Sequence, residues 1–383
     1  VTLRLIGVDG TTARTELKPA REFDKPSSPL KSRVVYAAAH VVPKAWADNV
    51  PGAPADLDWD ATLAFRYHLW SWGLGVADAM DTAQRNMGLD WTATAELIRR
   101  SAAAAQSVGG QLVVGVNTDH VTDEVISLDE VIAAYLLQLD VAASAGADVV
   151  LMASRHLARA ATGPADYERV YREVLARAGA PVVLHWLGDA FDANLSGYWG
   201  SAGFDGAAST VLRIIEDNLA RVRGIKMSLL NAEYEVSVRS RLPEGATLFT
   251  GDDFNYVSLI EGDKTSHSDA LLGAFAAVAP LASVAIRALD RDDVALYRRL
   301  LQPTEKLARH IFATPTQYYK TGVAFLAWLN GHQPSFTMVG GLHSARSLPH
   351  LSEIVRLAND SGALELPDLA AARWHELLAV NGL

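Results

Sequence analysis

The chain has 383 residues, half of them apolar, with 34 Lys+Arg against 44 Asp+Glu for a net charge of −10. That length buries a large core in one domain or two, and an acidic balance without a basic run excludes a surface that follows a phosphate backbone, so nucleic acid is not an expected partner. The absence of cysteine excludes disulfides, thiolate metal ligands and cysteine nucleophiles; with no apolar run of the ~18 residues a membrane span needs and no signal-like start, a cytoplasmic protein without membrane contact is expected.

Residues 1 to 32 open with alternating apolar and polar residues in VTLRLIGVDGTTARTELKP, and the DG pair between two runs is a turn signal. A small hairpin extension is expected there, followed by a polar, proline-rich connection at DKPSSPLKS. From Val34 the rhythm changes to short apolar runs spaced by amphipathic helices. The strand candidates are VVYAAAH (34 to 40), YHLWSWG (67 to 73), QLVVGVN (111 to 117), ADVVLMAS (147 to 154), PVVLHWL (181 to 187), RGIKMSL (223 to 229) and ATLFTGDD (246 to 253), with a short eighth around Ala270 to Phe275. The helical patterns SLDEVIAAYLLQLDVAASAG and DYERVYREVLARAG end in glycine at a C-cap position. Strands alternating with helices in this number predict an α/β protein with a parallel TIM (β/α)8 barrel over residues 33 to 280. A doubly wound sheet competes, but no GxGxxG follows its first strand. From about Pro280 the pattern is purely helical, giving a C-terminal helical segment over residues 281 to 383.

On a barrel the chemistry gathers at the C-terminal ends of the strands. Those ends offer His40, Trp72, Asn117, Asp119, His120, Ser154, Arg155, His156, His185, Lys226, Asp252 and Asp253. Lys226 is the unusual one, because an ammonium in the middle of the apolar run GIKMS is costly. Either it snorkels to the rim or pairs with Asp252 or Asp253, or lost solvation lowers its pKa and frees an amine for attack on a carbonyl.

GIKMS followed about twenty residues later by LFTGDD resembles the sixth and seventh strands of the dihydrodipicolinate synthase and N-acetylneuraminate lyase superfamily. LLGAFAAVAPLASVAIRALDRDDVALYRRLLQPTEKLARHIF, YYKTGVAFLAWLNG and LPHLSEIVRLANDSGAL are similar, in order, to its barrel-closing segment, its C-terminal helices and its closing helix. The resemblance covers roughly residues 33 to 365. It implies that Lys226 carries an imine, that no metal or organic cofactor is required, and that the chain forms homodimers or homotetramers around a small carbonyl substrate. His185 falls at the position of the family's proton-relaying tyrosine, a role open to an imidazole near neutral pH. SWGLGVADAMD falls at its Gly-Thr-Thr-Gly-Glu loop without the threonines, so Gly73, Gly75 and Asp78, with Arg155, would orient the substrate. Asn117 and Asp252 are further polar contacts at strand ends.

Trp70, Trp72 and Trp186 are candidates for an aromatic wall facing a sugar-like ligand, with core packing as the alternative. Asp78, Asp81, Gln84 and Arg85 follow one another at nearly helical spacing, as a polar face at the pocket mouth or as an internally paired surface. The favoured expectation is a Schiff-base lyase, an aldolase or dehydratase acting on a 2-oxo acid or keto-sugar derivative. Two alternatives remain open. One is a metal-dependent barrel isomerase or hydrolase with His40, Asp119 and His156 among its ligands, although no HxH or HExxH spacing supports it and a divalent metal is simply left open. The other is a non-catalytic ligand-binding barrel.

Overall fold

The structure is a computed structural model that describes residues 2–383; Val1, the first residue of the expected extension, lies outside them. β1 (Thr2–Ile6) and β2 (Thr12–Glu16) form an antiparallel hairpin of their own, with Thr2 opposite Glu16. Eight further strands close into a parallel barrel: β3 (Val35–Ala38), β4 (Gly75–Asp78), β5 (Leu112–Val116), β6 (Asp148–Leu151), β7 (Val182–Leu187), β8 (Val222–Ser228), β9 (Thr247–Thr250) and β10 (Asp269–Leu272), with β10 pairing both β9 and β3. The strands are apolar almost throughout because a barrel strand is covered on both faces. Helices on the outside bury one face, and side chains filling the interior bury the other.

That interior is packed. Tyr36, Ala38, Ala77, Met80, Val113, Val150, Met152, Val183, Phe249 and Leu271 form one buried cluster inside the strands, distinct from the larger layer between strands and helices. On β8 the outer layer takes Ile225 and Met227, and the two-residue period of a strand therefore turns Lys226 inward, above the plug.

The second strand departs from the expectation. YHLWSWG does not form a strand; most of it closes helix α1 (Trp59–Ser71), which Asp58 caps by accepting the backbone N–H of Ala61, and the strand proper is GVAD. A short apolar run has no period of its own, and here Phe65 and Leu69, one helical turn apart, are both buried. GVAD is too small and short to announce itself.

After β10 comes the short helix α2 (Ala274–Ala277), followed by α3 (Ala279–Leu289), α4 (Val294–Ile311), α5 (Tyr319–Leu329), α6 (Leu348–Ser361) and α7 (Pro367–Val380). All eleven residues of α5 are buried. Its first turn is brought over the C-terminal end of the barrel, where the Tyr319 phenol sits 2.7 Å from the hydroxyl of Thr82 beyond β4. The hairpin rests on the same helical segment through a hydrogen bond from the Ile6 N–H to the Ser352 hydroxyl. No helix of the described residues is long and apolar enough to cross a membrane.

The mouth is held partly by a fully buried ion pair. Asp78, the last residue of β4, takes two hydrogen bonds from the Arg66 guanidinium at 2.8 and 2.9 Å, one from the Ser101 hydroxyl and one from the Ala79 N–H. Its carboxylate is therefore consumed in the layer between β4 and α1 and is not a substrate contact, which corrects the expectation for this residue. Arg66→Met leaves that carboxylate uncompensated, and a loss of about 3–5 kcal/mol of unfolding free energy is expected. Urea denaturation followed by circular dichroism reads it; a loss below about 1 kcal/mol, the range of an exposed pair, would show that the pair does not hold the mouth.

Candidate active site

Lys226 sits on β8 with His185 directly beside it on β7 and Phe249 beside it on β9. Only 8% of the lysine is exposed. Burial pushes its pKa below the ordinary 10.5, and the carboxylates of Asp81 and then Asp253 oppose that shift. Asp81 follows β4, on the far wall of the barrel from β8, so only a side chain inside the mouth feels both acids.

Space for the lysine is made by Gly251, just past β9. A Cβ there would lie 2.8 Å from Lys226 Cε and closer still to the Ser228 hydroxyl. The absent side chain is the channel through which the amine reaches the mouth.

The two acids respond to burial in the opposite sense from the amine. Asp253 accepts the Ala274 N–H at 2.8 Å, yet burial pushes its carboxyl up to about 7, against that hydrogen bond and the charge of Lys226. Asp81 is likewise raised by burial, against the charges of Lys320 and Lys226. Burial thus moves the amine and the two carboxyls toward each other on the pH scale, the amine down and the acids up, while their mutual attraction opposes both shifts.

His185 is completely buried, 3.3 Å through Nε2 from the Ser228 hydroxyl, with Nδ1 unpartnered. Burial, then the charge of Lys226, holds its pKa well below 6.5. A neutral imidazole next to Lys226 accepts or passes a proton but does not carry one at rest.

Two residues that the strand-end reasoning did not select complete the mouth. Lys320, the second residue of α5, is buried and pushed down to about 8, with Asp81 and Asp192 opposing the shift. Tyr319 is held by burial well above the ordinary phenol value, so it keeps its proton while facing Asp81, Thr82 and Asp253. Gly273, at the end of β10, lets this group close in: a Cβ there would lie 3.0 Å from Phe312 and 3.2 Å from Tyr319. A narrow cleft above them is lined by Asp81, Arg85, Arg155, Asp192, Tyr319 and Lys320 among others. Arg155 also borders a neighbouring cleft with Asn117, His156 and Arg159.

The other expected contacts distribute as follows. Arg155 stands at the mouth, its Nε donating to Asp192 at 2.5 Å. Asn117 spends its side-chain oxygen on the Thr118 N–H and lines the neighbouring cleft instead. Asp252 is not the acid that faces the lysine. Its oxygens accept from the N–H groups of Phe254 and Asn255 and from the Asn255 side chain, which fixes the loop and turns Asp253 inward.

Gly73 and Gly75 are misplaced by a whole barrel length. Gly73 ends α1 with φ +74 against Pro26, and Gly75 starts β4 against the Tyr36 ring; both border a groove at the N-terminal ends of the strands. The aromatic wall does not form either. Trp70 donates to the Gln111 carbonyl, Trp72 is buried against the outer layer, and Trp186 points outward and stacks on Phe204.

The metal reading through His40, Asp119 and His156 finds no convergence. His40 is bonded to Gln333, Asp119 to Arg85, and His156 to Thr118 and the Asp123 carbonyl. The group of possible ligands that does converge among the described residues is a different one, His68, His332 and Glu365, on the outside of the barrel.

Residues 3–383 match the sequence family described as "Protein of unknown function (DUF993)", and the chain belongs to that family. No curated protein matches it. Its fold is that of the dihydrodipicolinate synthase family. The enzyme of that name from Aquifex aeolicus superposes with a TM-score of 0.64 at 13% identity, over 86% of this chain and 97% of its own. YagE of E. coli K12, a prophage protein of the dihydrodipicolinic acid synthase family solved in complex with pyruvate, gives 0.62 at 16% identity over 84% and 98%. The 4-hydroxy-tetrahydrodipicolinate synthase from Methylacidiphilum fumariolicum SolV gives 0.62 at 15% over 87% and 97%. At such identities the likeness is one of fold.

Gly251→Ala tests the geometry of the mouth. Overpacking strain of about 1–3 kcal/mol is expected to slow reductive methylation of Lys226 by about tenfold or more, with surface lysines as the internal control. Peptide mass analysis reads both, and an unchanged rate at Lys226 would contradict the placement.

Proposed function

We propose that the protein is an imine-forming lyase, an aldolase or dehydratase that acts on a small 2-oxo acid or keto-sugar derivative through Lys226. The observation that carries this reading is a lysine amine in a closed barrel mouth, driven toward its neutral form by burial and accompanied by a carboxyl raised to about 7.

In this reading the Lys226 amine attacks the substrate carbonyl carbon, and the carbonyl π electrons move onto oxygen. The addition product transfers a nitrogen proton to that oxygen, giving a carbinolamine. Asp253 then protonates the hydroxyl, water leaves, and a protonated imine remains. The sum is amine, carbonyl and carboxyl giving iminium, water and carboxylate, so the new cation forms beside the anion left by its formation. The iminium accepts the electron pair of the bond broken at the next carbon, which is the step a lyase needs and one for which no metal or organic cofactor is required.

His185 and the Tyr319–Thr82 pair are the proton carriers in this scheme, the first with an open nitrogen and the second with a retained phenolic proton. Lys320 is charged below about 8, and with Arg155 it would receive the substrate carboxylate. As part of the same reading, the enzyme is cytoplasmic and works as a homodimer or homotetramer, as the family resemblance implies.

Borohydride reduction in the presence of a panel of 2-oxo acids and keto-sugars is expected to leave an adduct on Lys226, found by peptide mass analysis, and Lys226→Arg is expected to abolish it. No adduct at Lys226 across the panel, or trapping that survives the substitution, overturns the proposal. Lys320→Met should raise the half-saturating concentration of a 2-oxo acid by about ten- to a hundredfold, the worth of a charge-assisted hydrogen bond, and leave uncharged ketones unaffected. An equal loss for both would remove Lys320 from carboxylate binding.

A further inference from the structure

We infer that His68, His332 and Glu365 form a zinc site that clasps the C-terminal helical segment to the barrel, far from Lys226 in role and independent of the imine reading. The three residues come from three distant parts of the chain. His68 lies on α1, His332 in the turn after α5, and Glu365 between α6 and α7.

Their possible ligand atoms all lie within 4.8 Å of one another. His332 Nε2 is 2.8 Å and His68 Nε2 3.7 Å from the same Glu365 oxygen, and the two imidazole rings are 4.0 Å apart between centroids. His68 Nε2 is buried with no hydrogen-bond partner. An unpartnered buried nitrogen aimed at a carboxylate and a second imidazole is a cost for which coordination supplies a reason.

The chemistry of the set favours zinc. Two imidazole nitrogens and one carboxylate oxygen are borderline and hard donors that suit a tetrahedral ion, with the fourth position left to water. The Glu365 carboxylate supplies the negative charge of the set.

The donors are also held in place without a metal. Phe65 lies against both rings, stacked on His68 at 6.0 Å and tilted to His332 at 5.7 Å. Asn330 accepts the Glu365 N–H and donates to the Ala363 carbonyl, tying the turn that carries His332 to the segment that carries Glu365. Preorganised ligands on separate segments make a metal a cross-link of the folded state.

The full chain, stripped with chelator and dialysed against buffered zinc, is expected to bind about one ion per chain. His68→Ala and Glu365→Gln are each expected to weaken that binding by more than the ~10–100-fold typical of losing an outer hydrogen-bond partner. Glu365→Gln keeps a polar partner for His332 and serves if His68→Ala fails to fold. Cobalt in place of zinc should give the visible absorption of a tetrahedral ion, lost in the same variants. His350→Ala is the control, because His350 stacks on His310 at 4.1 Å and offers a competing pair of imidazoles. The inference is overturned if the stripped chain binds no zinc, or if binding survives Glu365→Gln, or if it disappears in His350→Ala alone.

Discussion

Everything in the mouth of this barrel follows from the cost of keeping an ammonium out of water. Lys226 is buried among strand and plug residues, and the two acids whose charge favours its ammonium are themselves raised by the same burial. The amine and the acids are thereby pushed toward neutrality together. In the proposed lyase, a group costly in a structural role becomes useful, because a nucleophile and a proton donor are needed side by side.

The barrel provides that dryness in layers. Below the lysine, the inward residues from Tyr36 to Leu271 fill the interior. Beside it, Gly251 leaves the space that the Lys226 methylenes occupy and a Cβ would invade. Above it, α5 lays Tyr319 and Lys320 across the opening, anchored by the Thr82 hydroxyl and the aromatic stack of Tyr319 on Phe312. The C-terminal helices therefore cover the mouth, and in the proposed lyase whatever holds them to the barrel bears on the chemistry.

Much of this was legible in the sequence where local signals were strong. The hairpin, seven of the barrel strands and the helical tail follow from periodicity, Lys226 from one out-of-place charge, and His185 from the family resemblance. The second strand was hidden because YHLWSWG is apolar enough for a strand but helical in spacing, and that slip carried Gly73 and Gly75 to the wrong end of the barrel. Asp252 and Asp253 are equivalent as letters; only the loop hydrogen bonds distinguish the one that turns inward. Asp78 reads as a mouth residue until Arg66, on a neighbouring helix, is seen to occupy it. Tyr319 and Lys320 had no strand-end signal, since they reach the mouth from a helix nearly a hundred residues after Lys226.

The most direct test of the account is the ionisation of Lys226 itself. Competitive labelling of the folded chain with a trace amine-reactive anhydride across the pH range, with peptide-by-peptide mass analysis, gives the pH at which each lysine becomes half reactive. The account predicts that the midpoint for Lys226 falls clearly below the ordinary lysine value of 10.5 and below those of the exposed lysines of the same chain. A midpoint at or above theirs would mean that Asp81 and Asp253 hold the residue as a paired ammonium, and would contradict the proposed nucleophile.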